Sequence, residues 1–204
     1  MKIKAGALIT ETMEVRLLNR GPLGRFDDPD QLRHALTNLV PFPTADWTDF
    51  GRGSPPVRFL MLAAVLTAGD YGAPLPESTG VFGWNGAGCT AENLRFWQDY
   101  VQHGRENGRG GLFVATLPTI PFGEAAIALG LRGPNAYFRT EKSTHELRKL
   151  ISLRPAGLYL VGEVTENSVC MFLLEISGRP EEKSAEPDFP TLDRLFVHLE
   201  NRNA

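Results

Sequence analysis

The runs "GLYLVGEVT" (157–165) and "SVCMFLLEI" (168–176) constrain the fold of this chain more than any other feature. Each has the length and apolar character of a strand, and the short "ENS" stretch at Glu166 joins them. That pattern reads as a β-hairpin.

Upstream of the hairpin, strand-like and helix-like segments alternate. Residues 3–10 ("IKAGALIT") read as a first strand and residues 79–84 ("TGVFGW") as a short one. "LFVAT" (112–116) is apolar enough for another, and "NAYFRT" (135–140) follows a Gly133-Pro134 break. Residues 57–69 spell a helix stopped by Gly69 and Gly72, within "VRFLMLAAVLTAGDYG". Thr90 caps a second helix that ends at Gly104, with Leu94, Trp97 and Val101 at helical spacing. "FGEAAIALGL" is a small-residue helix. Ser143 and Glu146 have the spacing of a capping box at the start of a fourth, Ser143 to Ile151. Residues 11–56 read as irregular and Pro-broken, with a short helix at "PDQLRHALTNL". Residues 178–190 read as a polar linker, after which Thr191 caps a last helix, "LDRLFVHLENR". Strands that alternate with helices and then close in a hairpin predict an α/β layer. The expected sheet is mixed and mostly parallel, with an antiparallel edge hairpin.

Composition narrows the class of function. A chain of 204 residues with 42% apolar and 22% charged residues builds a core without disulfides or metals. A net charge of -3 leaves no electrostatic footprint for nucleic acid or an anionic membrane. No apolar run approaches the ~18 residues of a membrane span. The opening "MKIKAGALITETMEV" has too short an apolar stretch for a signal peptide. Cys89 and Cys170 stand far apart, outside any CxxC, which fits a reducing cytoplasm. The partners this leaves are proteins or small molecules.

Three places carry residues capable of chemistry. "WNGAGCTAEN" is glycine-rich and leads from a strand into a helix, but it has neither GxGxxG nor GxxxxGK[ST], so it reads as a tight turn and implies no nucleotide cofactor. Cys89 lies just before that helix, where a helix dipole lowers a thiol pKa. His34, His103, His145 and His198 share no ligand spacing, so no metal centre is expected. Glu141, Lys142, His145 and Glu146 gather at the first turn of the Ser143 helix, where a lysine can act as base or nucleophile and a solvated charged face is the plainer reading.

Four stretches, in this order, resemble the N-terminal half of the β-ketoacyl synthases of the thiolase-like superfamily: "VRFLMLAAVLTAGDYG", "TGVFGWNGAGCTAENLRFWQDYVQHG", "LFVATLPTIPFGEAAIALGLRGPN" and "GLYLVGEVT". The third is the most specific, and the likeness runs from about residue 57 to 165. The resemblance implies a five-stranded mixed sheet covered by helices over residues 1–177, with residues 178–204 as a linker and a helix packed on it. It implies room for one half of a synthase, without the half that brings the catalytic histidines. It also implies a register. After Gly133-Pro134-Asn135, the family's acylated cysteine falls at Lys142.

A protonated lysine cannot form an acyl thioester. In the family the helix that follows is buried and apolar. Here "STHELRKLISLR" keeps only the stripe Leu147, Leu150 and Ile151. The resemblance therefore implies a non-catalytic ketosynthase-like protein, a homo-oligomer or the partner of a ketosynthase or acyl carrier protein in fatty-acid, polyketide or polyene synthesis. Two alternatives stay open: a module that binds acyl chains or acyl carrier protein, and an acyl-transfer or hydrolytic enzyme built on Lys142 with Glu141 or His145, or on Cys89.

Overall fold

A computed structural model describes residues 1–39, 45–84, 89–104, 110–165, 167–177 and 187–203. In chain order the elements are β1 (Lys2–Thr10), β2 (Glu14–Leu17), β3 (Gly21–Arg25), α1 (Pro29–Leu39), α2 (Pro55–Tyr71), β4 (Gly80–Trp84), α3 (Thr90–His103), α4 (Gly110–Val114), α5 (Ile120–Ala128), β5 (Asn135–Phe138), α6 (Thr144–Ser152), β6 (Gly157–Val164), β7 (Ser168–Ile176) and α7 (Leu192–Asn203). The strands form one sheet in the order β3-β2-β1-β7-β6-β4-β5.

The expected hairpin is there. β6 and β7 pair antiparallel, from Gly157 opposite Ile176 to Val164 opposite Val169. Its place differs from the expectation. β1 pairs antiparallel along the outer side of β7, from Lys2 opposite Glu175 to Thr10 opposite Ser168, so the hairpin is central. Among the described residues only β4–β5 and β4–β6 pair in parallel, and the other four pairings are antiparallel. The sheet is mixed but not mostly parallel, and it has seven strands rather than five. The extra two, β2 and β3, lie in the stretch read as irregular. β2 is only four residues long, and Pro22 and Gly24 weaken the strand signal of β3, which a strand at the sheet edge tolerates. "LFVAT" is not a strand. It falls in α4 and a turn closed by Thr116 N–H on Phe113 O at 2.9 Å, and short apolar runs do not distinguish the two states.

Side-chain alternation along the strands divides the core. One face carries Ala7 and Ile9 of β1, Val81, Leu160, Val169, Met171 and Leu173, packed under α2 and α5. The other carries Leu8, Phe82, Trp84, Val161, Cys170 and Phe172, covered by Leu147 and Ile151 of α6 and by Leu192, Leu195 and Phe196 of α7. α2 is apolar all round because it lies between the sheet and its neighbouring helices, with every residue from Leu60 to Asp70 buried. Gly69 is inside it. Gly72, at φ 74°, ends it in the left-handed conformation with its N–H on Ala68 O. Gly83 and Gly162 leave the sheet bare where Phe122 of α5 settles, and a Cβ on Gly83 would stand 2.3 Å from that ring.

The buried Asp70 ties α2 to the sheet. Its carboxylate accepts the Gly6 N–H at 3.0 Å and the Asn19 N–H at 3.1 Å. No helix among the described residues is long and apolar enough to cross a membrane. The "NGAG" turn and most of the expected 178–190 linker lie outside the described residues.

Candidate functional site

β4, β5 and β6 run parallel, so their C-terminal ends share one end of the sheet, the usual place for a site in such folds. Three of the candidate residues sit there, at the turn from β5 into α6. Trp84, fully buried at the end of β4, donates its indole N–H to Thr140 Oγ1 at 2.9 Å. The Thr140 hydroxyl donates in turn to Glu141 O at 2.7 Å. These bonds fix the path of the turn. Glu141, Lys142 and His145 project their side chains into solvent around it.

α6 begins as its sequence requires. Ser143 is the N-cap and its Oγ accepts the Glu146 N–H, as the capping-box spacing predicts. A second cap comes from far along the chain. The Asp188 carboxylate accepts the Ser143 hydroxyl at 2.7 Å, the Thr144 hydroxyl at 3.0 Å and the His145 N–H at 2.8 Å. Phe189 completes the stitch, since its O accepts the Thr144 N–H at 2.9 Å and its N–H donates to Thr144 Oγ1 at 3.0 Å. The Ser143 hydroxyl, helped by the His145 N–H and Thr144, holds the Asp188 carboxyl below the usual carboxylate range. Asp188 is the member of this cluster that no local sequence pattern pointed to. It lies in a polar segment 45 residues from Ser143.

This arrangement has a chemical consequence. A helix N-terminus stabilises negative charge, and a nucleophile or oxyanion placed there depends on it. Here the protein's own carboxylate already takes that position on α6. Lys142 stands outside it as an exposed cation, and the outer face of α6 carries the exposed His145 and Lys149.

Cys89 belongs elsewhere. It is buried in a narrow slot with Pro56, Pro118, Pro121, Phe122, Tyr137 and Val164, and the slot does not include Glu141, Lys142 or His145. Burial, with the Glu92 carboxylate nearby, pushes its thiol up to about 11. The lowering expected from the helix dipole is outweighed by desolvation. Cys170 is also free and buried, and its thiol is raised well above the usual range, first by burial and then by Glu163. No group of three metal-ligating side chains comes together among the described residues.

Beyond the turn, β5 is the last strand of the sheet. α3 and α4 expose Leu94, Trp97, Val101, Phe113 and Val114.

Solved structures share this architecture. A chain of the structure described as a ketosynthase (ApeO) in complex with its chain length factor (ApeC), from Xenorhabdus doucetiae, superposes with a TM-score of 0.58 at 10% identity, over 98% of this chain and 90% of that one. The fold is thiolase-like.

The ishigamide ketosynthase/chain length factor superposes with a TM-score of 0.52 at 14% identity, over 88% of this chain. This chain spans 63% of that relative's length. No family model and no curated protein matches the sequence. The thiolase-like likeness is thus one of fold.

Proposed function

We propose that this protein is a non-catalytic, ketosynthase-like accessory subunit that pairs with a ketosynthase in polyketide or polyene biosynthesis. The observation that carries this reading is the closure of the α6 N-terminus by Asp188, directly after Lys142. The place where a condensing enzyme of this fold needs a nucleophile holds an exposed ammonium and a carboxylate cap. The likeness to a chain from a ketosynthase–chain length factor complex supports the choice of partner. The place of β5 as the last strand among the described residues supports pairing, because an edge strand is a template for another chain. Residues 1–177 would form the ketosynthase-like domain and α7 a terminal helix on it. The protein would work in the cytoplasm, where its two thiols stay reduced.

The test is affinity purification of the tagged chain from its native source. The reading expects a ketosynthase, identified by mass spectrometry, at one-to-one stoichiometry in size-exclusion chromatography with light scattering. A chain that elutes alone, or only as a homodimer, at micromolar concentration contradicts it.

A second reading, an acyl-chain or acyl-carrier-protein binding module, has one observation in its favour. A mainly apolar cleft of about 240 Å³ lies between the ends of β1 and β7 and the start of α2, lined by Ile9, Pro56, Phe59, Val164 and Val169. Native mass spectrometry of the purified chain decides it, since an acyl-binding module carries lipid mass through purification and the accessory subunit does not.

A further inference from the structure

The one buried side chain of α3 is a carboxylate. Glu92, in the first turn of the helix, is 5% exposed. It lines a cleft of about 500 Å³ with Arg52, Ser54, Arg95, Gly111 and Leu112, where the start of α2 meets α3 and α4. Among the described residues no hydrogen bond or ion pair reaches it. A buried carboxylate without a partner is costly, and the N-terminal dipole of its own helix offsets only part of that. Arg95, three residues on, is exposed at the same cleft and also has no hydrogen bond or ion pair among the described residues. Side chains three apart on a helix have Cβ atoms roughly 5–6 Å apart, near enough to pair, yet these two stay separate. The Ser54 hydroxyl, at the N-cap of α2, is not used by its own helix and faces the same space.

The cleft continues into a second space of about 180 Å³, with which it shares Arg52, Gly53, Ser54, Gly111 and Ala115. Val57, Val114 and Ile120 line that space together with Asp49 and Glu124. Asp49 is ion-paired with Arg52. Glu124 has no such partner among the described residues, and burial, then the nearby Asp49 charge, raises its carboxyl above the ordinary value. Two carboxylates and one guanidinium are thus left unanswered along one continuous cleft with an apolar wall. Their complement is a small molecule with two amines and one carboxylate on an aliphatic chain. A phosphate or other plain anion would face Glu92 and Glu124, and a simple amine would leave Arg95 unanswered. A metal ion does not fit, because no three metal-ligating side chains come together among the described residues.

We propose that this cleft is a binding site for a free basic amino acid of the lysine type. Its carboxylate meets Arg95, its α-ammonium meets Glu92, and its side-chain ammonium meets Glu124. Its methylenes lie against Val57, Val114 and Ile120. The site includes none of Glu141, Lys142 and His145, and it does not depend on the function proposed above.

The experiment is isothermal titration calorimetry of the purified full chain with L-lysine and three analogues that each lack one charged group. Norleucine lacks the side-chain amine, ε-aminocaproate the α-amine and cadaverine the carboxylate. L-lysine should bind with a Kd of about 1 mM or tighter, and each analogue about 10-fold or more weakly. Glu92→Gln and Arg95→Gln, with native circular dichroism, should each weaken L-lysine about 10-fold. Glu92→Gln should also bind L-lysine and ε-aminocaproate within about 3-fold of each other, because the group that reads the α-amine is gone. A carboxylate that only supports α3 would leave that ratio unchanged. Arg95 is exposed, so Arg95→Gln keeps the test decisive if Glu92→Gln does not fold. No heat from L-lysine at about 10 mM overturns the site. Norleucine that binds as tightly as L-lysine, or L-lysine binding unchanged in Arg95→Gln, overturns it as well. None of these outcomes bears on pairing with a ketosynthase, which the co-purification tests separately.

Discussion

The Asp188 carboxylate accepts the His145 N–H across 2.8 Å, 43 residues apart in sequence, at the point where α6 starts. That contact joins the C-terminal segment to the helix whose N-terminus would serve a nucleophile in a condensing enzyme of this fold. It caps the helix, and in the function proposed above it takes the position such a nucleophile would use.

Asp188→Ala should therefore destabilise the chain by about 1 kcal/mol, as loss of a helix cap does. In a protein of this size that is a fall in Tm of about 2–4 °C. The difference has a defined pH dependence. The folded-state pKa of Asp188 lies below its unfolded value, so its contribution is present above the unfolded pKa of about 3.9 and is lost as pH falls through the folded value. The Tm gap between wild type and Asp188→Ala, measured by calorimetry, should be full at pH 6–7 and close in the acid range. A gap independent of pH would show that the carboxylate is not the cap.

Lys142→Cys should not restore acylation. The new thiol would be exposed and should react readily with iodoacetamide, yet the N-terminal charge of α6 is already answered by Asp188. Intact mass after incubation with acyl-CoA should show no adduct on the Lys142→Cys chain. An adduct at that position would mean the α6 N-terminus can still activate a nucleophile.

Cys89 should be inert in the folded protein. With its thiol pushed up to about 11, the thiolate fraction at neutral pH is roughly a hundredfold or more below that of a free cysteine. Iodoacetamide at pH 7.5 should leave Cys89 and Cys170 unlabelled in buffer and label both in denaturant. Rapid native labelling of Cys89 would reopen a thiol chemistry for the slot it lines.

The sequence made some of this legible and hid the rest for physical reasons. The β6–β7 hairpin, the buried helix α2 and the Ser143 cap of α6 are local patterns, set by period, length and spacing, and each is where the residues put it. The position of the hairpin was not legible. It depends on β1 pairing with β7, a contact between opposite ends of the chain. β2 was hidden by its length of four residues, and β3 because Pro22 and Gly24 mask a strand that an edge accepts. At the candidate site the turn residues Glu141, Lys142 and His145 were legible, and so was the amphipathic character of α6. Asp188 was not, because it acts only through tertiary contact.

Gly83→Ala tests the packing of the sheet against α5. The added methyl would stand 2.3 Å from Phe122 and cannot be accommodated without moving the ring, so the substitution should cost about 1–3 kcal/mol. Phe122→Leu in the same chain should recover part of that loss. Additive costs in the double variant, read by urea unfolding, would show that the two residues do not press on each other.

The central claim is that this chain accompanies a ketosynthase and does not itself carry the acyl group. Native mass spectrometry of the co-purified complex after incubation with acyl-CoA, followed by intact mass of each chain, tests it most directly. The account predicts a one-to-one complex in which the acyl mass is on the ketosynthase and this chain keeps its unmodified mass. An acyl adduct on this chain, or a chain that stays outside the complex, would contradict it.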